Sequence, residues 1–416
     1  MDSALKLIIR HCRSLMALAV SFFILACSES EEFVPAEPKV LTEVVRTETV
    51  TMQDIVDYLY AEYSEDVGVS DELKAAYEQD LAPLRVLACD LTAHSVRYRT
   101  TAPDGSPIIA SGVVYYPQRN SPKGVLEIMP INKSKHDCVS ASLRTAEALV
   151  ACLGYICIIP DLVGCGASAD LPIAYMQHEN AAVVAADLRR AADELIQNTY
   201  RHKLPSTSII GGYSLGASIA WALARHYSLH PQLGVEVQEI WCGGGAYDPS
   251  VAVNAFIDKP YSQYAVLPNI ICSMDYYDHL GLDFTRIFRG ELLQHYREWC
   301  TGNLSIWKLT PLLGYDMSTY LQMEFFADDN PDFQKLMQVV KSKSIPNDWV
   351  PHTKVHLAHS REDSYVPRAC SDELYAYLQS VGADVEYSLM EEDHVVAGFL
   401  WGQGFVKALG LRSLFQ

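Results

Sequence analysis

The sequence lacks the short motifs that mark most cofactor and metal enzymes. It contains no P-loop and no dinucleotide-binding fingerprint, and the run Gly243-Gly244-Gly245 does not have the spacing of either motif. None of its 11 cysteines forms a C-x-x-C pair, so neither a redox motif nor a thiolate metal site is indicated. We therefore expect neither a cofactor nor a metal.

Positive charge is also scarce. The chain has 32 Lys and Arg residues against 51 Asp and Glu residues, for a formal net charge of −19. Nucleic-acid binding and adsorption to anionic lipid both need a cationic surface, so the charge argues against both. The 416 residues, 49% of them hydrophobic, are enough for one large domain with an insertion or for two ordinary domains. Nothing indicates an obligate protein partner.

The N-terminus carries a targeting segment. Cationic residues within 6–13 precede an apolar stretch, 15–26, which is too short to span a bilayer but has the length of a signal-peptide core. The stretch ends in Ile24-Leu25-Ala26-Cys27, which resembles the lipobox of bacterial lipoproteins. That resemblance implies removal of residues 1–26 and lipidation of Cys27. The alternative is an ordinary secretory signal in which the cysteine is incidental.

Residues 27–48 are expected to form an acidic linker. They begin with Cys27-Ser28-Glu29-Ser30-Glu31-Glu32, a polar run suited to a tether. The run also resembles the signals that send some lipoproteins of Gram-negative bacteria to the cell surface. We therefore expect an outer-membrane protein that contacts the membrane through its lipid anchor. A protein that faces the periplasm would have a similar linker.

Strand and helix patterns alternate through much of the remaining chain. A hairpin pattern over 95–116 turns at Pro103-Asp104-Gly105. The apolar strand segments that follow are 125–129, 155–160, 208–211, 237–242, 354–358 and 385–389. The helical segments are 51–63, 71–79, 140–151, 180–197, 368–379 and 398–409. This alternation predicts an α/β fold with a mostly parallel sheet covered on both faces, and with antiparallel strands at one edge.

The alternation stops between residues 246 and 350. This stretch is rich in aromatic residues and has the pattern of short helices. We interpret it as a helical cap inserted between two parts of one domain, residues 49–245 and 351–416. The alternative is a second domain with an unrelated role.

The segment Gly212-Tyr213-Ser214-Leu215-Gly216 fits the pattern G-x-S-x-G. A β-branched run precedes it and a helical run follows, which is the strand-turn-helix context that the motif requires. The turn forces the serine into a strained backbone conformation, and the flanking glycines make room for it. Ser214 is therefore the candidate nucleophile. The alternative is a plain glycine-rich loop.

A carboxylate and a histidine follow later strands. Loops at the carboxyl ends of parallel strands share one crevice, where Asp363 and His394 would join the serine. An imidazole suits the general base, and a carboxylate would hold it in the correct tautomer. Glu362 is the alternative acid and His359 the alternative base. Three acids before the histidine are expected to point elsewhere: Glu391, Glu392 and Asp393.

With its nucleophile, acid and histidine in this order, the chain resembles serine hydrolases of the α/β-hydrolase superfamily, from about Val86 to the final helix. Asp363-Ser364-Tyr365-Val366-Pro367 matches the Asp-x-x-Val-Pro turn common in that superfamily. The segment 98–112 and the long insertion are most similar to capped secretory lipases and related exported esterases. The resemblance implies a triad of Ser214, Asp363 and His394.

The resemblance also implies an oxyanion hole made of backbone N–H groups. One donor is the N–H of Leu215, which follows the nucleophile. The second comes from the loop after the 125–129 strand, where Ile131 or Asn132 is the expected donor. Many relatives carry His-Gly in this loop, whereas this chain has Pro130-Ile131-Asn132-Lys133.

The expected function is that of an exported serine hydrolase that cleaves small-molecule carboxylic esters through an acyl-serine intermediate. The aromatic cap suggests an apolar acyl or aryl group. One alternative is a serine peptidase of the aminopeptidase kind, which needs an acid to hold the substrate amine. The cap offers three candidates for that acid: Glu324, Asp328 and Asp329. The other alternative is an inactive surface-binding lipoprotein that kept the fold.

Overall fold

A computed structural model describes residues 39–66, 71–131, 133–259, 261 and 265–412. The predicted signal peptide, Cys27 and Asn132 lie outside these residues. Within them, nine strands form one sheet in the order β1-β2-β3-β5-β4-β6-β7-β8-β9. The strands are β1 (Leu41–Val50), β2 (Leu91–Thr101), β3 (Pro107–Pro117), β4 (Val125–Met129), β5 (Ile156–Pro160), β6 (Thr207–Tyr213), β7 (Glu236–Gly243), β8 (Lys354–Ser360) and β9 (Val385–Met390).

The sheet is mostly parallel. Strands β5, β4, β6, β7, β8 and β9 run parallel, whereas β1, β2 and β3 pair antiparallel at one edge and β3 meets β5 antiparallel. Every residue of β4 and β5 is buried, as expected for central strands with both faces covered. These pairings confirm the predicted α/β class and the antiparallel edge.

The edge strand β1 was not predicted from the sequence. Residues 41–48, predicted as linker, belong to this strand, so the prediction is wrong for them. Most of the strand is exposed and therefore lacks the apolar alternation that marks a half-buried strand. Backbone pairing with β2 holds it in place, as does the Glu194 carboxylate, which accepts the N–H groups of Lys39, Val40 and Leu41.

Helices cover the sheet and fill the long stretch between β7 and β8. The α-helices are α1 (Met52–Asp66), α2 (Asp71–Arg85), α3 (Val139–Ser142), α4 (His178–Tyr200), α5 (Leu215–Leu229), α6 (Pro249–Asp258), α7 (Leu267–Asp278), α8 (Gly290–Glu298), α9 (Ile306–Leu313), α10 (Pro331–Ser342), α11 (Ala369–Ser380) and α12 (His394–Arg412). Shorter 3-10 turns lie at Ala146–Leu153, Gly166–Ser168, Pro231–Leu233, Phe284–Arg286, Met317–Thr319 and Met323–Phe326, and a π turn at Trp299–Asn303. None of the helices in the described ranges is long and apolar enough to cross a bilayer.

The observed helix bounds differ from the predicted ones, and two of the differences lie next to the serine turn. The segment 140–151 was expected as one helix, but α3 ends where Leu143 adopts a left-handed φ of 55°, and a 3-10 helix follows. The final helix begins at His394, four residues before its predicted start at 398. Both differences bear on the site described next.

The helices between β7 and β8 share one apolar core with the sheet. This core joins Ile210 and Trp221 of the main body to Phe288 and Phe325 of the stretch 246–350. Most of the aromatic residues that the sequence places in the predicted cap therefore serve internal packing. Because they are buried in this core, these aromatic residues do not indicate an aromatic substrate.

Candidate active site

The turn between β6 and α5 strains the backbone at Ser214. Its φ is 54° and its ψ is −125°, a combination that costs a non-glycine residue about 1–3 kcal/mol. A Cβ on Gly212 would lie 2.2 Å from the carbonyl oxygen of Gly216. A Cβ on Gly216 would lie 2.3 Å from the carbonyl oxygen of Met129. Glycine is therefore required at both positions, as the motif predicts.

Three side chains form a hydrogen-bonded chain that starts at this serine. The Oγ of Ser214 lies 2.9 Å from Nε2 of His394, and Nδ1 of His394 lies 2.7 Å from Oδ2 of Asp363. A carboxylate only accepts, so Nδ1 carries the proton and Nε2 accepts the hydroxyl of Ser214. The structure thus brings together the three side chains that the sequence proposed for the triad.

The carboxylate of Asp363 is enclosed and charged. Its Oδ1 accepts the N–H groups of Tyr365 at 2.9 Å and Val366 at 2.7 Å, so the turn holds the side chain in place. Burial alone raises the pKa of Asp363, but the charge and hydrogen bond of His394 outweigh it and leave the pKa below its ordinary value. The alternative acid, Glu362, is exposed and makes no hydrogen bond to the histidine.

His359, the alternative base, lies beside the acid instead of the serine. Its Nε2 is 3.4 Å from Oδ2 of Asp363 and 3.0 Å from the carbonyl oxygen of Val366. Its Nδ1 is 2.7 Å from the hydroxyl of Ser371. Burial lowers the pKa of His359 despite the nearby carboxylate. A neutral, fully buried imidazole therefore packs against Asp363.

Two further residues hold the loop of His394. The hydroxyl of Tyr213 donates to the carbonyl oxygen of His394 at 2.5 Å. Asp393 accepts the N–H of His394 at 2.7 Å and the N–H of Ser364 at 3.0 Å, so it holds the backbone of the loop, while the imidazole pairs with Asp363. Tyr213 is the variable residue inside the G-x-S-x-G motif, and the sequence gives no indication of a contact 181 residues away.

The predicted oxyanion donors have different surroundings. The N–H of Leu215 is the first of α5 and has no partner inside the helix. The N–H of Ile131 donates to Oε1 of Glu147 at 3.2 Å, and the hydroxyl of Thr145 donates to the other oxygen of the same carboxylate. Asn132 lies outside the described residues. Sequence reasoning missed Glu147 because it placed this residue inside a continuous helix.

A cavity of about 120 Å³ opens beside Ser214 and His394. Its wall is largely apolar and comes mainly from α12 and the 3-10 helix Ala146–Leu153. The lining residues are Leu59, Ile128, Ile131, Ala146, Glu147, Leu149, Val150, Tyr213, Ser214, Trp307, His394, Val395, Gly398, Phe399, Trp401, Gly402, Phe405 and Val406. From the stretch 246–350, Trp307 lines this wall. The three candidate amine-binding acids of that stretch, Glu324, Asp328 and Asp329, do not line it.

The cysteines of the described residues are free thiols. Cys152, Cys157 and Cys242 are buried and pack as small core residues. Burial raises the pKa of the Cys138 thiol to about 11, so it is protonated at neutral pH. In the part of the chain that the structure describes, no cluster of three or more His, Cys, Asp or Glu side chains could hold a metal ion.

The chain is similar to known proteins in structure and not in sequence. No family model matches the sequence, and no curated protein matches it. An inferred hydrolase from Legionella pneumophila superposes with a TM-score of 0.71 at 20% identity, over 89% of this chain and 98% of its own. The rice cell wall degrading esterase LipA from Xanthomonas oryzae superposes with a TM-score of 0.66 at 18% identity, over 90% of this chain and 97% of its own.

A third similar structure is lipase A of Candida antarctica. It superposes with a TM-score of 0.61 at 15% identity, over 89% of this chain and 82% of its own. Identities this low support an argument about architecture, while function must be argued from the site. The sheet order, the serine turn and these likenesses together establish that the chain has the α/β-hydrolase fold.

Proposed function

We propose that the chain is a serine hydrolase that cleaves carboxylic esters through an acyl-serine intermediate. The observation that carries the proposal is the hydrogen-bonded chain of Ser214, His394 and Asp363 at the mouth of an apolar cavity. A serine hydroxyl is a weak nucleophile until a base takes its proton, and His394 lies within hydrogen-bond reach to do so.

The chemistry follows from this arrangement. Oγ of Ser214 attacks the ester carbonyl carbon as its proton passes to Nε2 of His394, and the N–H of Leu215 stabilises the oxyanion. The bond from the carbonyl carbon to the alcohol oxygen then breaks, and His394 returns the proton to that oxygen. Water attacks the acyl-serine in the same way and releases the carboxylic acid. Asp363 holds the imidazole and stabilises its charged form.

The cavity supports a substrate with an apolar acyl group. A hydrocarbon chain bound against Leu149, Val150, Phe405 and Val406 is removed from water, which stabilises it by about 25 cal/mol for each Å² buried. The names of the Xanthomonas oryzae esterase and the Candida antarctica lipase are consistent with ester substrates. Neither name identifies the ester that this chain acts on.

Hydrolysis of p-nitrophenyl esters tests the proposal. The purified chain is expected to release p-nitrophenol from the butyrate ester, and Ser214→Ala is expected to lower kcat by about three orders of magnitude or more. Glu324→Gln, which changes an exposed acid outside the cavity, is the control for preparation and folding. Equal rates for Ser214→Ala and the unchanged chain would refute the proposal.

A serine peptidase remains the second candidate, and one observation favours it. Glu147 places a carboxylate in the cavity wall, where the amine of a peptide substrate could bind. The cap acids Glu324, Asp328 and Asp329 do not line this wall, so the sequence-based choice of acid is not supported. Release of p-nitroaniline from amino-acyl anilides by the unchanged chain, and not by Ser214→Ala, would favour the peptidase.

We also propose that the chain is exported and lipid-anchored at the outer membrane. This proposal rests on the lipobox-like Ile24-Leu25-Ala26-Cys27 and the acidic run after it. In a Gram-negative host, labelled palmitate is expected to enter the chain, and Cys27→Ala is expected to abolish that labelling and release the chain from the membrane fraction. Retained labelling in Cys27→Ala would contradict the anchor. An ordinary secretory signal predicts no labelling at all.

A further inference from the structure

One carboxylate interrupts the apolar wall beside the nucleophile. Glu147 lines the same cavity as Ser214 and His394, and it is the sole acid among the described residues that form this wall. Among the described residues, the N–H of Ile131 and the hydroxyl of Thr145 donate hydrogen bonds to it. Within the described part of the chain, no Lys or Arg side chain pairs with it. The carboxylate is therefore half-buried, with no compensating cation among the residues that the structure describes.

This position is unfavourable for the hydrolysis of a neutral ester. The N–H of Ile131 is one of the two candidates for the second oxyanion donor, beside Asn132, and here it donates to Oε1 of Glu147 at 3.2 Å. A carboxylate beside a developing oxyanion also repels it, and the repulsion is strong where water is largely excluded. During hydrolysis of a neutral ester, the oxyanion therefore faces a like charge, and one of its two candidate donors is engaged by Glu147.

A substrate with a positive charge reverses both effects. An ammonium group that pairs with Glu147 draws the carboxylate away from Ile131 and cancels the repulsion of the oxyanion. Trp307 and Trp401 line the same cavity, and indole faces attract ammonium groups. The net charge of −19 further favours cations near the protein.

We propose that Glu147 selects substrates that carry an ammonium group close to the scissile bond. This inference rests on the proposed serine-hydrolase function and gives that site a substrate class. The ammonium belongs either to the alcohol part of an ester or to the free amine of a peptide, and both present the same charge to Glu147. If Glu147 has only a structural role, any hydrogen-bond acceptor at position 147 is expected to give the same preference between charged and neutral substrates.

A matched pair of substrates and a conservative variant separate these roles. Butyrylcholine and 3,3-dimethylbutyl butyrate have nearly the same shape, but only the first is charged. Glutamine at position 147 keeps an oxygen that can accept from Ile131 while removing the charge. We expect the unchanged chain to prefer the charged ester, and Glu147→Gln to lower that preference in kcat/KM by about tenfold or more.

Controls distinguish the possible results. Glu324→Gln removes an exposed acid outside the cavity and is expected to leave the preference unchanged. Equal effects of Glu147→Gln on both esters, or none on either, would overturn the inference and leave Glu147 as a structural contact. Loss of alanine p-nitroanilide cleavage in Glu147→Gln would support the inference and would identify the free amine of a peptide as the ammonium group that Glu147 binds. Absence of fluorophosphonate labelling at Ser214 in the unchanged chain would instead refute the underlying function, and the inference with it.

Discussion

His359 packs directly against Asp363, with its Nε2 3.4 Å from the carboxylate oxygen that also binds His394. Because the carbonyl of Val366 can only accept, Nε2 of His359 carries the proton, and Nδ1 accepts the hydroxyl of Ser371. His359 thus lies behind the acid and is held there by hydrogen bonds to the Val366 carbonyl and the Ser371 hydroxyl. His359 acts as a positioning residue in this account, since it touches neither substrate nor nucleophile.

Replacing His359 tests that role. His359→Leu removes the N–H that supports the Asp363 turn, and we expect kcat to fall about tenfold with KM unchanged. His359→Gln places an N–H near the position of Nε2 and is expected to restore most of the loss. The measurement is steady-state hydrolysis of p-nitrophenyl butyrate. Equal losses in the two variants, with KM raised, would indicate a general packing role.

The identity of the acid can be tested separately. Asp363→Asn keeps the shape of the side chain but loses the charge that stabilises the imidazolium of His394, so kcat is expected to fall by about three to four orders of magnitude. The matched control is Glu362→Gln, because Glu362 is adjacent and exposed, and it is expected to retain full activity. A larger loss in Glu362→Gln than in Asp363→Asn would reverse the assignment.

The apolar cavity predicts a limit on acyl-chain length. Gly402 lines the cavity, and a Cβ there would have no neighbour within 4 Å. Gly402→Phe is therefore expected to fill the space and lower kcat/KM for the octanoate ester about tenfold or more, with little effect on the acetate ester. Gly404→Phe is the control, since Gly404 is exposed on the same helix, also with open space around it. The same loss in both variants would place the acyl chain elsewhere.

A buried histidine predicts how stability depends on pH. Burial lowers the pKa of His178 to about 4, while an unfolded histidine titrates near 6.5. Between these values the unfolded chain binds a proton that the folded chain does not, so the free energy of unfolding falls as the pH drops. The shift corresponds to about 3 kcal/mol when the pH has reached 4.

Urea unfolding at pH 7 and pH 5 measures this effect. His178→Asn keeps a donor for the carbonyl of Lys343, which Nδ1 of His178 contacts at 3.2 Å, but it has no titrating ring. The variant is expected to lose less stability between the two pH values than the unchanged chain. Part of the loss of stability at low pH remains in the variant, because burial also lowers the pKa of His94 to about 4. His352→Asn, at an exposed position, is the control, and it is expected to lose as much stability between pH 7 and pH 5 as the unchanged chain. Identical losses in the unchanged chain and His178→Asn would contradict the account.

The sequence predicts the fold well where local patterns are strong. The buried strands β4 and β5 are continuous apolar runs, and the turn at Ser214 follows from its glycines, so both could be placed without a structure. The exposed strand β1 carries no such pattern, because its position depends on pairing with β2. A pattern within one segment does not report pairing with a distant segment.

The candidate site divides in the same way. Ser214, Asp363 and His394 each follow a strand, and strand order alone brings them to one edge of the sheet. Glu147 and Tyr213 act through side-chain contacts with residues far away or across a loop, which no spacing in the sequence encodes. The end of α3 at Leu143 makes Glu147 still harder to predict, because the sequence pattern places Glu147 inside one continuous helix and the structure does not.

Covalent labelling shows directly whether Ser214 is an activated nucleophile. A fluorophosphonate forms a stable bond only with a serine that a neighbouring base activates, so it reports the serine and its histidine together. We expect one labelled peptide, containing Ser214, and no labelling in Ser214→Ala or His394→Ala. An unlabelled chain, or labelling that persists in Ser214→Ala, would contradict the assignment of Ser214 as the nucleophile.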